Sequence, residues 1–168
     1  RTAMFIVEPI MGEAGVIVPP ADYLKEVRKY CTAHGALLVI DAVQTGIGRT
    51  GQWFGYEYSG IQPDVITVAK GLGAGLPLAA MIAVGKSSQL FAPGDHGSTF
   101  GGNPLASVVA IAALKVLVDE KMAENADQMG NRFRDKLKNI KSKHIKEVRG
   151  IGLMNAIEIN HPNPHAAW

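Results

Sequence analysis

Four short apolar runs, Met4–Val7, residues 36–40, Val65–Val68 and residues 79–84, do most to limit what this chain can fold into. They do not alternate apolar with polar, and each stops at polar or turn chemistry: Glu8-Pro9, Asp41, Ala69-Lys70 and Gly85. Strands of that kind belong to a mostly parallel sheet covered by helices on both faces. Between the first two runs, Pro19-Pro20-Ala21-Asp22 opens a helix with Leu24, Val27, Tyr30 and Cys31 on one apolar face and Gly35 as its stop. Residues 104–118 read as a long apolar helix, interrupted at Asp119. Residues 120–140 continue as an amphipathic helix with a polar outer face and an apolar stripe of Phe133, Leu137 and Ile140. Residues 145–149 and 153–159 read as two strands joined by Gly150-Ile151-Gly152. The pattern predicts an α/β fold.

With 168 residues, 47% apolar and 19% charged, the chain can bury a real core. Its net charge of +2, from 17 basic and 15 acidic residues, gives no reason to expect nucleic acid or a membrane surface as partner. No apolar run approaches the roughly 20 residues a membrane-crossing helix needs. The lone Cys31 can form no internal disulfide and fits no metal-ligand spacing, so no metal is expected. A small buried thiol and no secretory leader pattern lead us to expect the cytoplasm. The chain opens on Arg1-Thr2 without an initiator methionine and stops at Ala166-Ala167-Trp168, and is therefore expected to be a fragment of a larger protein.

Two residues at strand ends carry the chemical case, because ligands of such sheets bind just outside the carboxyl ends of the strands. Lys70 follows an apolar strand and precedes Gly71-Leu72-Gly73. A lysine that loses solvation there becomes an amine fit for Schiff-base chemistry; a solvated lysine opening a loop is the plain alternative. Asp41 follows four apolar residues, and a buried carboxylate needs a partner. A protonated pyridine nitrogen is one such partner; a helix cap or a loop carboxylate, with turn chemistry following at Thr45-Gly46, is the plain alternative. Gln44 could donate to a ring oxygen and Val43 could pack on a ring face, or both could be loop and core. Ser98 and Thr99, in the glycine-rich stretch 96–104 ahead of a long helix, suit a phosphate. His96 in that stretch reads as a structural loop histidine.

Four segments together resemble the class III (ornithine-type) pyridoxal-phosphate aminotransferases. They are Glu8-Pro9-Ile10-Met11-Gly12-Glu13-Ala14-Gly15, residues 41–51, Lys70-Gly71-Leu72-Gly73 and residues 96–104. The resemblance implies the large domain of a three-layer, fold-type I transferase over residues 1–118. It also implies a connecting helix over 119–143, and the beginning of a small α+β domain over 144–168. It implies pyridoxal 5'-phosphate as cofactor and a homodimer with its active site between subunits. In that site Lys70 would carry the cofactor and shuttle the proton, and Asp41 would pair with the ring nitrogen. Val43 would lie behind the ring and Gln44 near its hydroxyl, while Thr99 would reach the phosphate from the neighbouring subunit. Glu13 would line the substrate pocket.

Ala42 stands where relatives usually have glutamate, and Met11 where many have glutamine. The family's upstream phosphate loop, stacking aromatic and carboxylate-binding arginines have no counterpart in these residues. Leu76-Pro77, Val16-Ile17-Val18-Pro19-Pro20 and Gly48-Arg49-Thr50-Gly51 resemble the branch that takes N-acetylornithine as amine donor and 2-oxoglutarate as acceptor. The branch acting on ornithine is the near alternative, then other ω-amines. A chain that only binds cofactor or dimerises is the alternative of another class.

Overall fold

The computed structural model describes residues 2–162. Its first sheet has the order β1 (Met4–Val7), β2 (Leu37–Asp41), β3 (Val65–Val68), β4 (Ala80–Ala83). β1, β2 and β3 run parallel, and β4 turns back antiparallel to β3. The central strands are covered on both sides: Leu38, Val39 and Ile40 are buried in succession, as are Val65, Ile66 and Val68. Leu38 and Ile40 are wholly enclosed, each contributing about 1.5–3 kcal/mol of apolar burial.

Helix α1 (Tyr23–His34) lays Leu24 and Cys31 on that core, with Val27 packed beside them. It begins after Asp22, later than the proline pair suggests, and Asp22 makes no side-chain cap. Tyr30, expected on the apolar face, is exposed and stacks on His34. At about 100° per residue, position 30 falls well outside the stripe through 24, 27 and 31. Gly35, at φ +65°, ends the helix as expected: its own N–H reaches the Thr32 carbonyl, and the Ala36 N–H reaches that of Cys31 at 2.9 Å.

Helices α2 (Pro104–Asp119) and α3 (Met122–Lys138) are separated by Lys121, at φ +50°, slightly beyond the expected break. The Asn103 side chain caps α2 by accepting the Ala106 N–H. In α3 the buried stripe is Ala126, Gly130 and Arg134; Phe133 and Ile140 are exposed. Small residues at 126 and 130 let a second sheet approach the helix closely, which larger residues on the adjoining face would prevent. That sheet is the antiparallel hairpin β5 (Ile145–Ile151) and β6 (Met154–Ile159), turning at Gly152-Leu153.

One face of the hairpin carries a charge network. Glu158 accepts hydrogen bonds from Lys146 and from Arg149 (2.9 Å), and Arg149 also donates to Glu147 (2.8 Å). The hydrogen bond from Lys146, then that from Arg149, holds the Glu158 carboxyl below the ordinary glutamate range. A lowered folded-state value means the stabilisation is present at neutral pH and is lost as pH falls through it. Glu158→Gln is therefore expected to lower the thermal midpoint at pH 7. The difference from wild type should begin to shrink as pH falls below the ordinary glutamate range and close once pH has passed the lowered folded-state value; a difference independent of pH would show that the charge contributes nothing.

Candidate active site

Parallel pairing places Asp41 beside Thr67, and the Ala42 N–H donates to the Thr67 carbonyl at 2.9 Å. Lys70 follows three residues after Thr67, so acid and amine leave the same rim of adjacent strands, which lie about 4.8 Å apart. The connection between those strands carries one short 3-10 turn, Gly55–Ser59, where a crossover helix is more usual.

Asp41 is half-buried. Its Oδ1 accepts the Val43 N–H at 3.0 Å, a local turn contact of the kind the loop reading foresaw. Its Oδ2 accepts from no described residue. Alternation along β2 sets Val39 and Asp41 on the face opposite Leu38, Ile40 and Ala42, away from the α1 core.

Lys70 opens the 3-10 turn Lys70–Gly73 with a left-handed backbone, φ +42°. The expectation of a desolvated amine is not met in this chain: Lys70 is exposed, and its Nζ makes no ion pair or hydrogen bond with any described residue. It lines two cavities. One, of about 320 Å³, is bounded by Val16, Val43, Gln44, Arg49 and the hairpin residues Leu153, Met154 and Asn155. The other, of about 930 Å³, is bounded by the 75–79 loop together with His96, Ser98 and Asn103. A separate apolar cleft between α1 and β1, lined by Phe5, Val27, Tyr30 and Cys31, shares no residue with these and contains neither amine nor carboxylate.

Val43, Gln44 and Lys70 thus meet at one cavity, and Ser98 joins Lys70 at the other, where its Oγ accepts the Gly101 N–H at 2.9 Å. Glu13 and Thr99 are exposed and line neither. Glu8 acts locally, its carboxylate accepting the Gly12 N–H at 3.0 Å and fixing the turn that follows. Gly12 in turn backs the Gln44 carboxamide so closely that a Cβ there would come within 2.5 Å of it.

Sequence reasoning missed the hairpin wall of Leu153, Met154 and Asn155. The signal was Gly150-Ile151-Gly152, read only as a joint. Gly152, at φ +56°, packs against the Thr50 backbone, and the Leu153 N–H donates to the Arg49 carbonyl at 3.0 Å. Arg134 completes the seat by donating to the Gly152 carbonyl (2.8 Å) and to Asn155 Oδ1 (2.6 Å).

Lys70 and Asp41 leave one rim of adjacent strands, although Asp41 lines neither cavity at Lys70, and a rim offering an amine and a carboxylate is suited to amine chemistry on a bound carbonyl compound. The family model for class-III aminotransferases matches residues 1–167, and the chain belongs to that family. It is 48% identical over 165 residues to the mitochondrial ornithine aminotransferase of Oryza sativa subsp. japonica, covering 96% of this chain and 35% of that protein. It is 47% identical over 166 residues to the acetylornithine aminotransferase of Mycolicibacterium smegmatis, covering 99% and 43%. The chain thus spans about two fifths of the length of the curated relatives it matches.

Among solved structures, an ornithine aminotransferase of Toxoplasma gondii, described with pyridoxal phosphate at partial occupancy in its active site, superposes with TM-score 0.89 at 45% identity, over 94% of this chain and 38% of that one. An acetylornithine aminotransferase of Elizabethkingia anophelis superposes with TM-score 0.88 at 45% identity, over 94% and 40%. Pyridoxal phosphate is the cofactor of the family. The donor set fits it: a free amine for the aldehyde, an unshared carboxylate oxygen for a protonated ring nitrogen, and a carboxamide and a hydroxyl in the adjoining cavities.

Proposed function

We propose that this chain holds the cofactor centre of an aminotransferase moving the terminal amine of N-acetylornithine to 2-oxoglutarate. The observation that carries the reading is Lys70 and Asp41 on one rim of neighbouring strands, inside a class-III aminotransferase chain. When bound, pyridoxal phosphate supplies an aldehyde to receive the amine and a ring that draws electrons from the reacting carbon. Lys70 Nζ holds the aldehyde. Freed from it, the same nitrogen would take the proton from the donor's reacting carbon and deliver it to the carbon that had been the aldehyde, so that the amino group stays with the cofactor and the donor leaves as a carbonyl compound. Asp41 Oδ2 keeps the ring nitrogen protonated, Val43 backs the ring and Gln44 donates to its hydroxyl.

Ser98 sits near the phosphate, while Thr99, exposed and outside the cavities at Lys70, serves the phosphate held by a neighbouring subunit of a homodimer. Glu13, one residue after the glycine that backs Gln44, is assigned to the donor pocket by the family resemblance alone, since it is exposed and lines neither cavity. The separate β5–β6 sheet supports assigning residues 144–168 to a smaller domain, of which 163–168 lie outside the described residues.

The resemblance at Leu76-Pro77 and at residues 16–20 favours the acetylated donor. Rates of the full-length protein with N-acetylornithine and ornithine test it: preference for the acetylated amine is expected, and equal rates would overturn it. Ornithine as donor is the second reading, favoured by a rice relative as similar as the mycobacterial one.

Asp41→Asn is expected to keep the turn contact to Val43 and lose the charge facing the ring nitrogen. The result should be a fall in kcat of about a hundredfold or more, measured with the cofactor shown by absorbance to be in place. An unchanged kcat would remove Asp41 from the site.

A further inference from the structure

The turn at Gly15 and Val16 is strained. Gly15 has φ +107° and Val16 has φ +55°. A β-branched residue in the left-handed region is a genuine outlier and persists only where its surroundings over-determine it. Its own hairpin supplies part of the restraint. Met11 and Ile17 exchange two backbone hydrogen bonds at 3.0 Å, and the Gly12 carbonyl accepts from both Gly15 (3.0 Å) and Val16 (3.1 Å).

The rest comes from far away in sequence. Arg149 of β5 donates from Nη2 to the Gly15 carbonyl at 2.8 Å, and from Nε to the carbonyls of Gly15 at 3.1 Å and Val16 at 3.3 Å. Its Nη1 is engaged by Glu147 and Glu158, which fixes the direction of the guanidinium plane. Val16 lines the 320 Å³ cavity with Lys70, and Gly12, tied to the same turn, backs Gln44 on that cavity's wall.

We propose that Arg149 is a positioning residue for the amine-donor site: its fork holds the strained Gly15-Val16 turn as one wall of the cavity at Lys70 and thereby sets how tightly the donor binds. The inference rests on the reading of Lys70 as the amine-transferring centre. It adds that the hairpin contributes to donor affinity through this grip without touching the donor through Arg149. Lysine cannot replace it, because a compact ammonium keeps the charge for Glu147 and Glu158 but cannot span two carbonyls in a plane.

The test uses the full-length protein and Arg149→Lys. Expected are a rise of about tenfold in KM for N-acetylornithine, the equivalent of one charge-assisted hydrogen bond, a kcat within about twofold of wild type, and unchanged borohydride-trapped cofactor at Lys70. Amide hydrogen exchange should accelerate about tenfold over residues 12–17 and stay unchanged over β2. In a Val16→Gly background the turn is unstrained, so Arg149→Lys should add less than about twofold to KM.

An equal KM rise in both backgrounds, unmoved exchange over residues 12–17, or a joint fall of kcat and trapped cofactor would each overturn the proposal. If wild type itself traps no cofactor and uses no amine donor, the functional reading fails instead, and the exchange measurement still decides whether Arg149 holds the turn.

Discussion

Lys70→Ala in the full-length protein is expected to abolish covalent capture of pyridoxal phosphate and to lower turnover by about 10⁴-fold or more. The size of the effect follows from the double duty assigned to one nitrogen. The same amine holds the aldehyde and moves the proton, and no other described residue lining either cavity carries a primary amine. Reduction with borohydride followed by mass analysis gives the decisive readout. Wild type should gain mass on the peptide containing residue 70, and the variant should gain none there. Activity near wild type in Lys70→Ala, or mass gained at a different lysine, would displace Lys70 from the centre. Arg149→Lys gives a second comparison, because it should leave the trapped cofactor intact.

The second large effect is structural. Gly130→Ala is expected to destabilise the protein by about 3 kcal/mol. A Cβ at Gly130 would overlap the Gly152 carbonyl, and Gly152 is itself pressed on the Thr50 backbone. Backbone faces backbone on both sides, so no rotamer change can relieve the overlap. The hairpin would have to lift from α3, breaking the Arg134 contacts to Gly152 and Asn155 and withdrawing Leu153, Met154 and Asn155 from the cavity at Lys70. Thermal or denaturant unfolding measures the loss, and KM for the amine donor should rise with it. A variant as stable as wild type would mean that α3 and the hairpin are not in this close contact.

Much of this arrangement was legible in the residues. Continuous apolar runs at 36–40 and 65–68 declared buried parallel strands, and Asp41 and Lys70 announced themselves by standing where those runs stop; the run at 4–7 also pairs in parallel, but as the sheet's edge it leaves Met4, Phe5 and Ile6 exposed, against the expectation of a buried strand. The reversal of β4 was legible in principle, since the short connection from Val68 to Ala80 leaves little room for a crossover between parallel strands.

What stayed hidden depends on approach between distant backbones. Periodicity in residues 120–140 pointed to Phe133, Leu137 and Ile140, yet closeness to the hairpin favoured Ala126 and Gly130 and buried Arg134 among carbonyl and amide oxygens. Hydrophobic pattern reports which side chains avoid water; it does not report where a glycine lets two main chains touch. The grip of Arg149 on Gly15 and Val16 spans more than a hundred residues and leaves no local mark at either end.

The left-handed backbone at Lys70 sets stability against chemistry. Such a backbone costs a lysine about 1–2 kcal/mol relative to glycine, so the amine sits there against the local preference of the backbone. Chemistry and robustness therefore ask for different residues at one position. Lys70→Gly would therefore remove the amine and relieve the backbone at once, giving a sturdier chain without its centre.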